Sequence, residues 1–202
     1  AEGAKKLLRE IAEGTERGEA IGNGAVATGK FTGHHRVPVA RGQAIPAWDP
    51  RPLKATGVTY ATSPMGADHT AGLIINPGLS PDEFARASQE SQLVNAICDS
   101  SGFCQFLQPN MIDIAEFYGA FYGEEVTKEQ MADIAWQCLE DEWKFNEGAG
   151  WKPEDDKLAD CLVEEGIGPD HVFKFDVPAE VIAAAKVRFE PRQELYEARA
   201  SG

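Results

Sequence analysis

Cysteine is scarce in this chain, with four in 202 residues and no Cys-x-x-Cys pair. That argues against a disulfide-dense scaffold and against a zinc or iron–sulfur site built wholly from these residues, since such sites need about four ligands. Long apolar runs are also missing. None approaches the roughly 20 residues of a membrane helix, and no signal-peptide pattern opens the chain, so the expectation is a cytoplasmic protein with no membrane partner. Positive charge is in deficit: Lys+Arg 19 against Asp+Glu 33 gives a net charge of -14. Such a surface repels phosphate backbones, which argues against nucleic acid as a partner. Alternating valine and isoleucine are nearly absent, and no βαβ rhythm appears. What is present, 43% hydrophobic and 26% charged residues, suffices for a sizeable core.

The periodicity predicts a mostly α fold in irregular multihelical packing, because the connections between helices are long. Leu7, Leu8 and Ile11 fall at helical spacing before Gly14. A glycine-rich stretch follows, with room for one short helix over residues 20–27. Pro38 and Pro46 suggest extended chain over 36–48. Residues 53–63 could be helical, though Gly57 and the threonines weaken the pattern. Ser80-Pro81-Asp82-Glu83 is a capping-box sequence with proline at the first helical position. It leads into a helix whose apolar face is interrupted by Ser88 and Ser91, as suits close packing on backbone or on a polar ligand. Ile114, Phe117, Tyr118 and Phe121 form one helical face. Thr127-Lys128-Glu129-Gln130 is a second capping box, and Met131, Ile134, Ala135, Cys138, Leu139 and Phe145 make the stripe behind it. A last helix is expected near Pro178 with Asp176 as its cap, and Pro191 should kink or restart it.

Three stretches could carry chemistry: residues 47–72, 97–106 and 140–158. His69 lies on a glycine-containing turn, where a surface or helix-capping histidine is the commoner reading and a proton-transfer group near a reacting centre the functional one. Cys104 lies in a short loop after a helix, and one cysteine is not a metal site. Cys138 and Cys161 sit among apolar residues and are expected in the core. From the spacing alone His69 and Cys104 stay undecided.

The three stretches together resemble a known family. Trp48-Asp49-Pro50-Arg51-Pro52-Leu53-Lys54 comes first, then Tyr60 through His69 with Ser63-Pro64-Met65-Gly66 inside it. Asp99-Ser100-Ser101-Gly102-Phe103-Cys104 and the stretch 145–158 follow. In order and separation they resemble the C-terminal part of aldehyde ferredoxin oxidoreductases, over essentially the whole chain. The resemblance implies an oxidoreductase with tungsten, or less often molybdenum, held by two pterins beside a 4Fe–4S cluster. Such enzymes oxidise aldehydes to carboxylic acids and pass the electrons to ferredoxin. It further implies that Asp99, Gly102 and Phe103 contact a pterin, with Phe103 where leucine is usual. Cys104 becomes the fourth cluster ligand and His69 a pocket histidine near the metal. Met65 and Asp68 stand where the commoner pattern has arginine and cysteine, so the motif speaks more to cofactor class than to substrate.

The family's N-terminal pterin-binding β domain, with the cysteine segment that supplies the other three cluster ligands, is absent from these residues. The expectation is therefore a C-terminal portion, an excised piece or a split subunit, inactive alone and holding no cofactor. Residues 1–35 would be the tail of the family's second domain and 36–202 the C-terminal helical domain. The partners would be the N-terminal part, ferredoxin and an aldehyde, with a homo-oligomer possible through apolar surface left uncovered. A non-enzymatic helical interaction or assembly domain, and a paralogue with another tungsten-dependent redox reaction, are the alternatives.

Overall fold

In the computed structural model, which describes residues 1–200, two reciprocal side-chain caps start the helices that build one core. The Thr127 hydroxyl accepts from the Gln130 N–H at 3.2 Å, and the Gln130 amide oxygen accepts from the Thr127 N–H at 2.8 Å. Asn110 and Asp113 do the same one helix earlier, at 2.8 and 3.2 Å. Each pair satisfies backbone donors that a helix N-terminus leaves open. The chain forms helices α1 (Glu2–Glu13), α2 (Glu16–Gly22) and α3 (Gly24–Thr32), then a hairpin of β1 (Val39–Ala40) and β2 (Gln43–Ala44). After it come α4 (Lys54–Thr62), α5 (Phe84–Ser100), α6 (Met111–Tyr122), α7 (Lys128–Gly148), α8 (Asp160–Glu164), α9 (Ala179–Ala184) and α10 (Gln193–Glu197). The hairpin is antiparallel, with Val39 opposite Ala44. The fold is mostly α, as the periodicity predicts.

Helix α5 serves two apolar clusters. Its second half packs with α6, α7 and α10 around Leu93, Ile97, Met111, Ile114, Leu139 and Trp143. Its first half packs with α4, α8 and α9 around Val58, Tyr60, Phe84, Leu162, Phe175 and Ile182. Every residue of α4 after Lys54 is buried, including three threonines. They stay satisfied by returning their hydroxyls to carbonyls: Thr56 to Ile74 at 3.0 Å, Thr59 to Ala55 at 3.4 Å and Thr62 to Val58 at 2.8 Å. The inward serines of α5 answer to this close approach. Ser88 shares a hydrogen bond with Thr59 at 2.9 Å, and a Cβ on Gly72 would stand 3.0 Å from the Ser91 hydroxyl.

Several local expectations need correction. Residues 20–27 do not form one helix, because the chain breaks at Asn23 between α2 and α3. The face of α6 is only half covered: Ile114 is buried, while Phe117 and Phe121 are exposed, the latter at 72%. On α7 the covered stripe runs through Met131, Ala132, Ala135, Trp136, Leu139 and Trp143, and Phe145 is 76% exposed. Two tryptophans displace the stripe by about one position. Ser80 makes no capping bond, and residues 81–83 form a 3₁₀ turn before α5. Pro178, not Asp176, precedes α9, and Asp176 pairs instead with Lys54. Cys138 and Cys161 are half-buried, and Cys98 is the fully buried cysteine.

Candidate functional site

The first stretch is locked by charge. Arg51 donates to Asp49 at 2.6 and 3.0 Å and to the Glu165 carbonyl at 3.1 Å. Burial alone would raise the Asp49 carboxyl, but the bonds and charge of Arg51 outweigh it and hold it below the usual aspartate range. The buried Tyr60 hydroxyl donates to the Trp48 carbonyl at 3.2 Å. Burial and then the Asp68 and Asp49 charges push its phenol well above the ordinary value. Neither group is free to act. They fix the strap that leads into α4, whose end delivers the turn carrying His69.

That turn is built from Ser63 to Thr70. The Ser63 hydroxyl accepts from the Met65 N–H at 3.2 Å, and Gly66 adopts a left-handed φ of 85°, which favours glycine. Asp68 accepts from the Thr70 N–H at 2.8 Å and so caps the 3₁₀ turn that carries His69. The His69 ring is one-third exposed, and its nearest carboxylate oxygen, on Asp68, is 3.7 Å away, beyond hydrogen-bond reach.

The second stretch follows the end of α5. Gly102, at φ 73°, reverses the chain, and its N–H donates to the Asp99 carbonyl at 3.0 Å. The Phe103 N–H donates to the Cys98 carbonyl at 3.1 Å, and the Cys98 thiol donates back to the Phe103 carbonyl at 3.5 Å. The Phe103 ring meets Phe117 edge-on at 5.1 Å. Cys104 is left exposed at the end of the loop. The two cysteines are chemically unlike: burial, then the neighbouring Asp99 and Cys104, pushes the Cys98 thiol up to about 11.

Gln105 joins the two stretches. Its amide N–H₂ donates to the Thr70 carbonyl at 2.9 Å and to the Asp99 carboxylate at 3.2 Å. One side chain thus ties the His69 turn to the loop from Asp99 to Cys104. A lone glutamine after Cys104 carries no signal in the sequence, and neither does Glu142 on α7. Burial raises the Asp99 carboxyl; the Gln105 bond opposes this, and Asp68 adds to it. Burial and then Asp99 raise Glu142. Both line a cavity of about 90 Å³ with Met65, Gln92 and Cys138. At its inner side the Gln92 amide oxygen is buried with no partner.

The third stretch supports the turn from behind. Trp143 Nε1 donates to the Thr62 carbonyl at 2.8 Å, and Asn146 donates to the Pro64 carbonyl at 2.9 Å. Farther along, Asp156 accepts from Trp151 at 3.2 Å and from Lys186 at 3.0 Å, and it pairs with buried Arg41. Arg41 in turn donates to the Ser63 carbonyl at 2.5 Å. These residues position the site and are not placed to react in it.

Among the described residues no group of three His, Cys, Asp or Glu could hold a metal ion. The donor set nevertheless fits one corner of a larger centre. An exposed thiol can supply one thiolate, Asp99 is a carboxylate acceptor on the same surface, and a side chain on Gly102 would meet nothing within 4 Å. An iron–sulfur cluster at Cys104 would have to draw its remaining ligands from outside these residues.

The family model for aldehyde ferredoxin oxidoreductase, domains 2 and 3, matches residues 1–199. The chain belongs to the aldehyde ferredoxin oxidoreductase family. It is similar to the tungsten-containing aldehyde ferredoxin oxidoreductase of Pyrococcus furiosus, 25% identical over 173 residues, which cover 78% of this chain and 29% of that protein. The Thermococcus kodakarensis protein of the same name is 25% identical over 186 residues, covering 83% of this chain and 31% of its own length. That of Pyrococcus abyssi is 27% identical over 163 residues. The chain thus spans about three-tenths of the length of these relatives. Among the described residues no helix is long and apolar enough to cross a membrane.

Proposed function

We propose that this chain is the C-terminal part of a cytoplasmic enzyme that oxidises aldehydes to carboxylic acids and delivers the electrons to ferredoxin. When bound, a tungsten- or molybdenum-bis-pterin and a 4Fe–4S cluster would supply the redox chemistry. Cys104 would give the cluster one thiolate. Asp99 would accept hydrogen bonds from pterin N–H groups, Gly102 would let the backbone come close, and Phe103 would contact the pterin where leucine is usual in the family. His69 would stand at the substrate pocket, where an imidazole orients an attacking oxygen or takes its proton. Residues 1–35 belong in this reading to the tail of the second family domain and 36–202 to the C-terminal one. The N-terminal part of the enzyme completes the site, so the chain alone is inactive.

The observation that carries the proposal is the Gln105 bridge, which brings Asp99 and the His69 turn together beside the exposed thiol of Cys104. The test separates the two roles in the full-length enzyme. His69→Ala should lower aldehyde turnover by about 10²–10⁴-fold, the usual worth of a positioned acid–base group, with tungsten and iron content unchanged. Cys104→Ala should lose or alter the cluster and impair electron exit more than aldehyde binding. Full activity in His69→Ala, or an unchanged cluster spectrum in Cys104→Ala, would remove that residue from the site.

A further inference from the structure

The cavity of about 90 Å³ beside the His69 turn is charged with one sign only. Pro64, Met65 and Ala71 of that turn form one side of it, and α5 and α7 close the others. Its charged lining residues are Asp99 and Glu142, with no lysine, arginine or histidine beside them. Gln92 stands at the inner side, 1% exposed, with its amide oxygen unpartnered. The orientation of that amide is fixed by its neighbours. Thr62 donates its one hydroxyl proton to the Val58 carbonyl at 2.8 Å, so toward Gln92 it can only accept. The Gln92 amide nitrogen accordingly donates to Thr62 at 3.0 Å and to Ser88 at 3.1 Å. The oxygen is left on the other side of the amide, and a buried acceptor without a donor is costly.

Size and charge define what fits. The volume equals that of about three waters, enough for the end of a short chain. An oxygen that needs a donor, beside two carboxylates with no base to neutralise them, is complementary to a small ammonium group. Desolvation and then the Asp99 charge raise the Glu142 carboxyl, and a cation between the two relieves that repulsion. We propose that this cavity receives the far end of the aldehyde and selects short aldehydes that carry an ammonium group, with Gln92 and Glu142 as the selecting residues. This rests on the reading of the surface as an aldehyde pocket with His69 beside it. The ammonium donates to the Gln92 oxygen and faces Glu142, with the aldehyde carbon left toward the turn. An apolar chain end of the same size leaves the oxygen unmet, and a polar group left unpaired in this way discriminates strongly between isosteres.

Steady-state oxidation by the full-length enzyme at neutral pH tests the assignment with three aldehydes of one size: β-aminopropanal, β-hydroxypropanal and butanal. kcat/KM should favour β-aminopropanal over butanal by about 10–100-fold. β-Hydroxypropanal should fall between them, because it donates a hydrogen bond without the charge. Glu142→Gln, at an exposed position of α7, should reduce the ratio of β-aminopropanal to butanal by about 2–5-fold. Equal kcat/KM for these two aldehydes, or a ratio that Glu142→Gln leaves unchanged, overturns the proposal. A preference for β-hydroxypropanal over β-aminopropanal overturns it too. Butanal oxidised as well as the others defeats only the selection, whereas oxidation of none of the three defeats the aldehyde reading beneath it.

Discussion

At the scale of single residues, the site is placed at some expense to the fold. The Asp99 carboxyl is held above its ordinary value by burial and by Asp68, with Gln105 only partly offsetting them. A carboxyl whose folded value exceeds its unfolded one favours folding while protonated, and that advantage disappears as the pH rises through the folded value. At neutral pH the ionised group is a cost that solvent largely screens, because Asp99 is exposed, so Asp99→Asn should raise the Tm of the isolated chain only slightly. The gain should shrink on acidification, and a lower Tm for the variant at neutral pH would contradict it. The cysteines give a second expectation. Cys98 is buried, with its thiol pushed up to about 11, whereas Cys104 is exposed. Burial and the raised pKa both hold Cys98 back, so timed alkylation with mass spectrometry should modify exposed Cys104 well before Cys98. Reversed order would mean that the loop does not present its thiol. None of this environment is legible in the sequence, because Gln105, Asp68 and Glu142 meet Asp99 only through the turn and α7.

At the scale of elements, the sequence is informative wherever local chemistry decides. The Thr127–Gln130 box and the Gly14 stop depend on neighbours along the chain, and both form as the pattern predicts. The outer faces of α6 and α7 do not, because which ring is covered depends on how much of the molecule lies against it. Phe121 and Phe145 satisfy the helical period yet remain exposed. Helix α4 is the reverse case. Gly57 and three threonines weaken it as a sequence pattern, but burial on every side requires small residues. A Cβ on Gly57 would fall 2.2 Å from the Phe175 ring. Alanine would favour the helix by about 1 kcal/mol, but overpacking costs about 1–3 kcal/mol or more, so Gly57→Ala should destabilise the chain. Denaturant unfolding reads this directly, and a stabilised variant would show that Phe175 yields without strain. Asn110→Ala should cost about 1 kcal/mol through loss of its cap.

At the scale of the whole molecule, distant segments are tied to the His69 turn by charge and by indole. Arg41 joins Asp156 and the Ser63 carbonyl, and Trp143 holds the Thr62 carbonyl. Breaking a buried ion pair by removing one partner costs about 3–5 kcal/mol. Lys186 remains on Asp156 at 3.0 Å, so Arg41→Met should fall near the lower end. The family and the mostly α class were legible through three motifs in order. Residues 145–158 were legible as a motif but not as a support, because Asp156 pairs with Arg41 and Lys186 and Asn146 donates to the Pro64 carbonyl, all far away in the chain. The central claim is that this surface is one side of a shared redox centre with Cys104 as a cluster ligand. Metal analysis with electron paramagnetic resonance of the reduced full-length enzyme, beside its Cys104→Ala variant, tests it most directly. The account predicts tungsten or molybdenum together with iron in the parent, and loss or alteration of the cluster signal in the variant. A parent without iron, or a variant with full iron and an unchanged signal, would contradict it.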